Sequence, residues 1–451
     1  MPNAQIDTSA HTDPAVYLTA DVPGTGGAIK QRPEDFYVEE LPLYELSGTG
    51  EHLYLFIEKR NMPTMQLISL LARHYGVAKA AVGYAGLKDK LAVTRQLLSI
   101  QLPGQAADGW PEFTHDRAKV LWTARHGNKL RQGHLAGNRF IIRVRRAEPA
   151  KVVHAHRTLS TLERTGVPNR AGEQRFGVNG NNHLIGRELL LGNHQAALDL
   201  LLGPAAPPPN SRSRLDLQAA AREHYAAGRY PEARAAFPRN SDTERRVLAA
   251  LEYGRPARSA LGVIPEMQRR YFISSLQSAV FNAVLAERLR AGTLDRLMLG
   301  DVAFKHDNGA AFIVDDAALA DPETAGRLAR LDISPSGPMW GAGMLRAQGA
   351  AAQAESRALA AIGLTEEDFD LYAATSRDRV PGARRALRVP LSFPDAEGGV
   401  DEFGPYIRCA FELPRGAFAT VVMQEVMKGW TDAEGEGDDE QRDDAPDSAE
   451  V

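Results

Sequence analysis

Between residues 53 and 75 the period of the apolar residues changes, and that change restricts the chain to folds that combine strand and helix. Residues 53–58 alternate, with Leu53, Leu55 and Ile57 facing one way and Tyr54, Phe56 and Glu58 the other. Leu67, Ile68, Leu71 and Tyr75 then recur at spacings of three to four, which predicts a helix capped by Thr64 and stopped at Gly76. Further apolar runs at 96–102, 120–124 and 140–144 predict strands. The first part of the chain is therefore expected to be α+β with mainly antiparallel pairing.

A chain of 451 residues exceeds what one core usually serves, so a second domain is expected. Residues 204–210 (Pro-Ala-Ala-Pro-Pro-Pro-Asn) break every regular pattern. Beyond them 215–251 is rich in Ala, Arg and Glu, and 268–290 predicts a long amphipathic helix. The ends differ from the middle. Residues 1–25 are polar and small, as in a loosely held leader, whereas 431–451 hold ten acidic residues and one basic, Arg442, and are expected to be disordered. Without that tail the chain carries +5, a sign that suits a polyanionic partner without demanding one.

The sequence contains no run of eighteen apolar residues and no secretory leader pattern, so a cytoplasmic protein without membrane attachment is expected. The single cysteine, Cys409, excludes an internal disulfide and a cysteine-based zinc site; among Ile407, Ala410 and Phe411 it reads as a small buried hydrophobe. The segment from Gly172 to Gly177 has the glycine spacing of a phosphate loop but lacks the Lys-Ser/Thr that must follow, and no zinc-protease or serine-elbow motif is present.

Four segments carry candidate chemistry. In Lys30-Gln-Arg-Pro-Glu-Asp-Phe-Tyr-Val-Glu-Glu40 a lysine lies close to an aromatic ring and several carboxylates, material for placing an anion beside a stacked base. Val82-Gly-Tyr-Ala-Gly-Leu-Lys-Asp-Lys-Leu-Ala-Val-Thr-Arg-Gln96 reads as strand, turn and return strand, with Asp89 at the tip between Lys88 and Lys90, and Thr94 and Arg95 close behind. Opposite charge nearby favours the ionised carboxylate that a nucleophile requires. In Gly137-Asn-Arg-Phe-Ile-Ile-Arg-Val-Arg-Arg146 alternation separates Asn138, Phe140, Ile142 and Val144 from Arg139, Arg143 and Arg145, so one face could hold a base and the other meet phosphates. Leu413-Pro-Arg-Gly-Ala-Phe-Ala-Thr420 is a proline-glycine turn in which Phe418, taken alone, reads as core.

Taken together, in this order, these segments and Gly166-Val-Pro-Asn-x-x-Gly-Glu-Gln-Arg-Phe-Gly177 resemble the TruD family of tRNA pseudouridine synthases. The resemblance implies a catalytic domain with a mainly antiparallel mixed sheet, interrupted by an inserted α/β domain. The corresponding division is a flexible leader at 1–28, catalytic parts at 29–165 and 386–430, the insertion at 166–385, and the acidic tail at 431–451. It implies Asp89 as catalytic nucleophile, with Phe36, Asn138 and Phe418 contacting substrate and Phe140 and Lys30 lining the pocket. It also implies tRNA as partner, uridine 13 in the D stem as the target on a flipped-out base, no cofactor and no metal, and a monomer is expected. The rival reading is a tRNA-binding folding chaperone whose catalysis is secondary or lost.

Overall fold

The computed structural model describes residues 16–102, 112–177, 179–204, 212–376, 378 and 380–428. The acidic tail expected at 431–451 and most of the leader lie outside them. The described residues divide into two units, one formed by 19–167 with 390–428 and the other by 168–389 with 16–18. Among the described residues no helix is long and apolar enough to cross a membrane.

The first unit is built on a nine-stranded sheet. From one edge the order is Ser392–Asp401, Gly404–Pro414, Leu135–Arg145, Phe36–Pro42, Val93–Gln101, His52–Arg60, Ala118–His126 and Thr114–His115, and Val82–Tyr84 also pairs with Val93–Gln101. Every pairing is antiparallel except that between Phe36–Pro42 and Val93–Gln101. The alternation at 53–58 does what a two-residue period requires. Leu53, Leu55 and Ile57 join a core with Leu67, Ile68 and Leu71 of the helix Thr64–His74, while Tyr54 and Phe56 enter a smaller cluster on the opposite face.

That helix departs from expectation at its start. Pro63 occupies the cap position without a side-chain hydrogen bond, and Thr64 is the first helical residue. Its hydroxyl donates to Gln96 Oε1 at 3.1 Å and accepts the backbone N–H of Lys88 at 3.0 Å. The threonine therefore supports the loop after Val82–Tyr84 instead of capping its own helix. Gly76 does end the helix in the left-handed region, at φ 66°.

The described part of the leader is also not loose. Thr19 is buried, and its N–H and hydroxyl both donate to Glu425 Oε2, at 3.1 and 2.7 Å, while Lys428 Nζ donates to Val22 O at 2.6 Å. The helix Ala419–Met427 is thus tied to residues 19–22. Cys409 is fully buried, and burial pushes its thiol up to about 12, which removes it as a nucleophile.

In the second unit short helices, among them Arg212–Ala226, Tyr230–Ala236 and Asp242–Glu252, precede the 25-residue helix Glu266–Arg290. A four-stranded antiparallel sheet follows, in the order Ala311–Ile313, Val302–Lys305, Ile333–Met339 and Ala383–Ala386. Fourteen residues of the long helix are buried, and Leu276, Val280, Phe281 and Leu285 pack with Trp340 and Leu387 in this unit's core.

Candidate active site

Strand register assembles the site from segments far apart in sequence. Phe36, Val38 and Glu40 share one face of their strand, and the antiparallel partner sets Ile142, Phe140 and Asn138 opposite them in turn. The next strand places Phe411 opposite Phe140 and Leu413 opposite Asn138. On the other side Thr94 lies beside Val38, and Lys59 lies opposite Thr94. Phe36 meets Phe140 edge to face at 6.5 Å, and Phe140 packs on Phe411 at 5.6 Å. Phe36 and Phe140 are only 2% and 6% exposed, so both rings belong to the floor of this face.

Asp89 sits over that floor, on the loop between Val82–Tyr84 and Val93–Gln101. Its carboxylate is 36% exposed, and Oδ1 accepts from Lys30 Nζ at 3.0 Å. The same ammonium lies 4.6 Å from the centre of the Phe36 ring. Oδ2 has no partner among the described residues. The ion partner of Asp89 is thus Lys30, 59 positions away, and not the adjacent Lys88, whose ammonium turns to Glu40 Oε2 at 2.8 Å and Asn138 Oδ1 at 2.9 Å. Arg95 is likewise engaged elsewhere, with Glu58 and Glu39.

Two devices hold Asp89 and Lys30 in place. Lys59 is fully buried on the continuation of the Leu53–Leu55–Ile57 face, and its ammonium donates to the carbonyls of Met62, Lys88 and Asp89 at 2.6, 3.3 and 2.9 Å. Together with Thr64 on the Lys88 N–H, it pins the main chain on which Asp89 stands. Lys30 has φ 54°, a left-handed conformation that costs a residue with a Cβ about 1–2 kcal/mol. The turn is imposed from behind. Ala28 exchanges both backbone hydrogen bonds with Arg145, and at Gly27, φ 93°, a Cβ would come within 2.6 Å of Arg145 O.

Alternation alone puts Arg145 on a phosphate-binding face, and the structure corrects this. It is buried, with hydrogen bonds from Nε and Nη2 to Asp35 Oδ1 at 2.9 and 2.6 Å and from Nη1 to Asp401 at 2.6 Å. The Asp35 hydrogen bonds raise its pKa further above the ordinary guanidinium value. Arg139 lies in a row of alternating charge across five adjacent strands, Glu58, Arg95, Glu39, Arg139 and Glu412, each opposite the next in register. The closest contacts along the row measure 2.8, 3.2, 3.6 and 2.7 Å. The hydrogen bond to Glu412 raises the Arg139 pKa, and that to Glu58 raises Arg95. Alternation separates the two faces as expected, but Arg139 and Arg145 are already matched with carboxylates, and the Arg143 guanidinium lies 5.3 Å from the centre of the Tyr406 ring.

Phe418 differs from the other rings. It occupies the cap position of the helix Ala419–Met427, five residues beyond Leu413, and is 51% exposed, so it is not the core residue its sequence context suggests. The turn before it is held by Arg415, whose Nη1 donates to Gly133 O at 3.0 Å. The roles of Glu40, Lys59, Thr64 and Lys88 escaped the sequence reading. Only Lys59 left a signal, a lysine where the two-residue period calls for a core side chain. Among the described residues no cluster of three or more His, Cys, Asp or Glu side chains could hold a metal ion.

Comparison with known proteins is consistent across the chain. The sequence model of the family described as tRNA pseudouridine synthase D (TruD) matches residues 14–426. A tRNA pseudouridine synthase D of Geobacter sulfurreducens is 44% identical over 415 residues, covering 91% of this chain and 96% of the relative. That of Geobacter sp. strain M21 is 42% identical over 417 residues, covering 92% and 99%. A crystal structure from Methanosarcina mazei, assigned to tRNA pseudouridine synthase D, superimposes with a TM-score of 0.78 at 27% identity, covering 96% of this chain and 99% of that one.

Proposed function

The chain belongs to the tRNA pseudouridine synthase D (TruD) family, and on that premise we propose that it isomerises uridine 13 in the D stem of tRNA to pseudouridine. In this reading Asp89 is the catalytic nucleophile, acting on a base turned out of its stack. The observation that carries it is the carboxylate itself. Asp89 is more than one-third exposed, has one oxygen held by Lys30 at 3.0 Å, and has the other oxygen open above a floor of aromatic rings.

The reaction breaks the C1′–N1 bond, turns the uracil and joins C5 to C1′. N1 gains a proton as C5 loses one, so atoms balance and no oxidant or reductant is consumed. A carboxylate can hold the separated fragments by adding to uracil C6 or by supporting a glycal at the sugar, and both routes ask for one oxygen free to approach. Lys30 fixes the other oxygen and keeps the carboxylate from rotating away.

Extruding the base costs a few kcal/mol. Stacking returns roughly 1–3 kcal/mol per base, and the exposed Phe418 is the ring we assign to it. Phe36 and Phe140 line the pocket below, and Asn138 meets the edge of the base. The test is to incubate the protein with unmodified tRNA transcripts and map pseudouridine by chemical reactivity. Conversion at uridine 13 alone is expected; absence of pseudouridine, or its formation at another position, would overturn the reading.

A further inference from the structure

We infer that Glu40 and Lys88 lock the amide of Asn138 so that it presents N–H donors to the base, selecting the carbonyl pattern of uracil over the amine of cytosine. This rests on the reading that Asn138 faces the extruded base. The orientation follows from donor chemistry. A lysine ammonium only donates, so the Asn138 atom 2.9 Å from Lys88 Nζ must be the oxygen, and the reversed amide would set donor against donor.

The lock is buried and anchored. Lys88 and Glu40 are both almost without solvent contact, their ion pair measures 2.8 Å, and register places Glu40 directly opposite Asn138. Glu40 Oε1 further accepts the backbone N–H of Leu97 at 3.3 Å, which holds the carboxylate in position. With Oδ1 committed to Lys88, Asn138 Nδ2 remains, and it has no partner among the described residues.

An unlocked asparagine turns over with little change of shape and can meet either base. A locked one cannot. Its N–H groups pair with a uracil carbonyl, whereas the exocyclic amine of cytosine would meet them donor to donor and leave buried polar groups unpaired, the arrangement that discriminates most strongly in enzyme sites. Lys88 and Glu40 are thus positioning residues, acting through Asn138.

The experiment compares single-turnover rates on tRNA transcripts carrying uridine, 2-thiouridine or 4-thiouridine at the target, because sulfur accepts a hydrogen bond more weakly than oxygen. The unmodified enzyme is expected to slow on the order of tenfold with 4-thiouridine, whose sulfur stands where cytosine carries its amine, and to bind a transcript with cytidine at the target on the order of tenfold more weakly than one with uridine. Lys88→Met, whose asparagine can turn to meet either base, is expected to be slower with uridine and to bind transcripts carrying cytidine or uridine at the target within about threefold of each other. Lys88→Arg, which keeps a donor, restores the original ratio. Should Lys88→Met fail to fold, the double variant Glu40→Gln with Lys88→Met leaves no buried charge unpaired and carries the same expectation. An unchanged cytidine-to-uridine ratio in these variants would overturn the lock, and indifference of the unmodified enzyme to sulfur at position 4 would overturn Asn138 as the donor that reads it. If the unmodified enzyme formed no pseudouridine even from uridine, the parent reading would fall as well, a result separable from either of these.

Discussion

The two faces of the large sheet, with the loops that lie over them, carry charged side chains and use them in opposite ways. On one face Glu58, Arg95, Glu39, Arg139 and Glu412 form a closed row in which each interior charge has an opposite charge on both sides. On the other face the polar set is left incomplete. Asp89 has one oxygen on Lys30, Asn138 has its oxygen on Lys88, and each has a polar atom with no partner among the described residues. A row of mutually satisfied charges is suited to fixing register, whereas an incomplete set retains capacity for a ligand.

The contrast extends to burial. The side chains of the row are 15–49% exposed, so water screens the pairs and their worth is small. The supports of the other face are sealed. Lys59 is fully buried with three carbonyls on its ammonium, and Glu40 and Lys88 are buried with each other. Removing one partner from such a group leaves the rest without water to turn to.

The largest break in this contrast is expected from Lys59→Met, which strips the donor from three carbonyls and should destabilise the fold by about 2–4 kcal/mol, read as a lower urea midpoint. If the midpoint is unchanged, the buried face is not the more sensitive one. Next is Lys30→Gln, which frees the Asp89 carboxylate; a rate loss of about 10²-fold with nearly unchanged tRNA affinity is expected. An affinity loss without a rate loss would place Lys30 in binding instead.

A smaller effect is expected of Phe418→Ala. The ring is 51% exposed, so thermal stability should hold while tRNA binding or turnover weakens by roughly 1–3 kcal/mol. Arg139→Ala should do least. Loss of a half-exposed link in the charge row is expected to cost about 1 kcal/mol or less and to leave pseudouridine formation within about twofold. A strong effect on tRNA affinity at Arg139 would return that face to phosphate binding.

These differences also explain what the sequence made legible. Alternation at 53–58 and the helical spacing after Thr64 are local signals, and the strand and helix follow them. Asp89 at a loop tip is local too. Its partner is not, because nothing within a few residues of Asp89 points to Lys30, and the adjacent Lys88 offers a nearer candidate that the folded chain sends to Glu40. Thr64 has the residue type of a cap and is used as a support, since Pro63 takes the cap position and the Lys88 N–H lies within reach of its hydroxyl. Arg145 follows the same rule: the aspartates that bury it, Asp35 and Asp401, come from 110 and 256 positions away. Chain-local chemistry could be read; pairings set by register and tertiary approach could not.

The proposed reaction depends on the carboxylate at residue 89. Single-turnover pseudouridine formation by Asp89→Asn, measured beside its tRNA affinity, isolates that group because the amide keeps the size and the contact with Lys30 largely intact. The expected result is a rate lower by on the order of 10⁴-fold or more with affinity within about threefold. A variant that still forms pseudouridine within about tenfold of the original rate would contradict it.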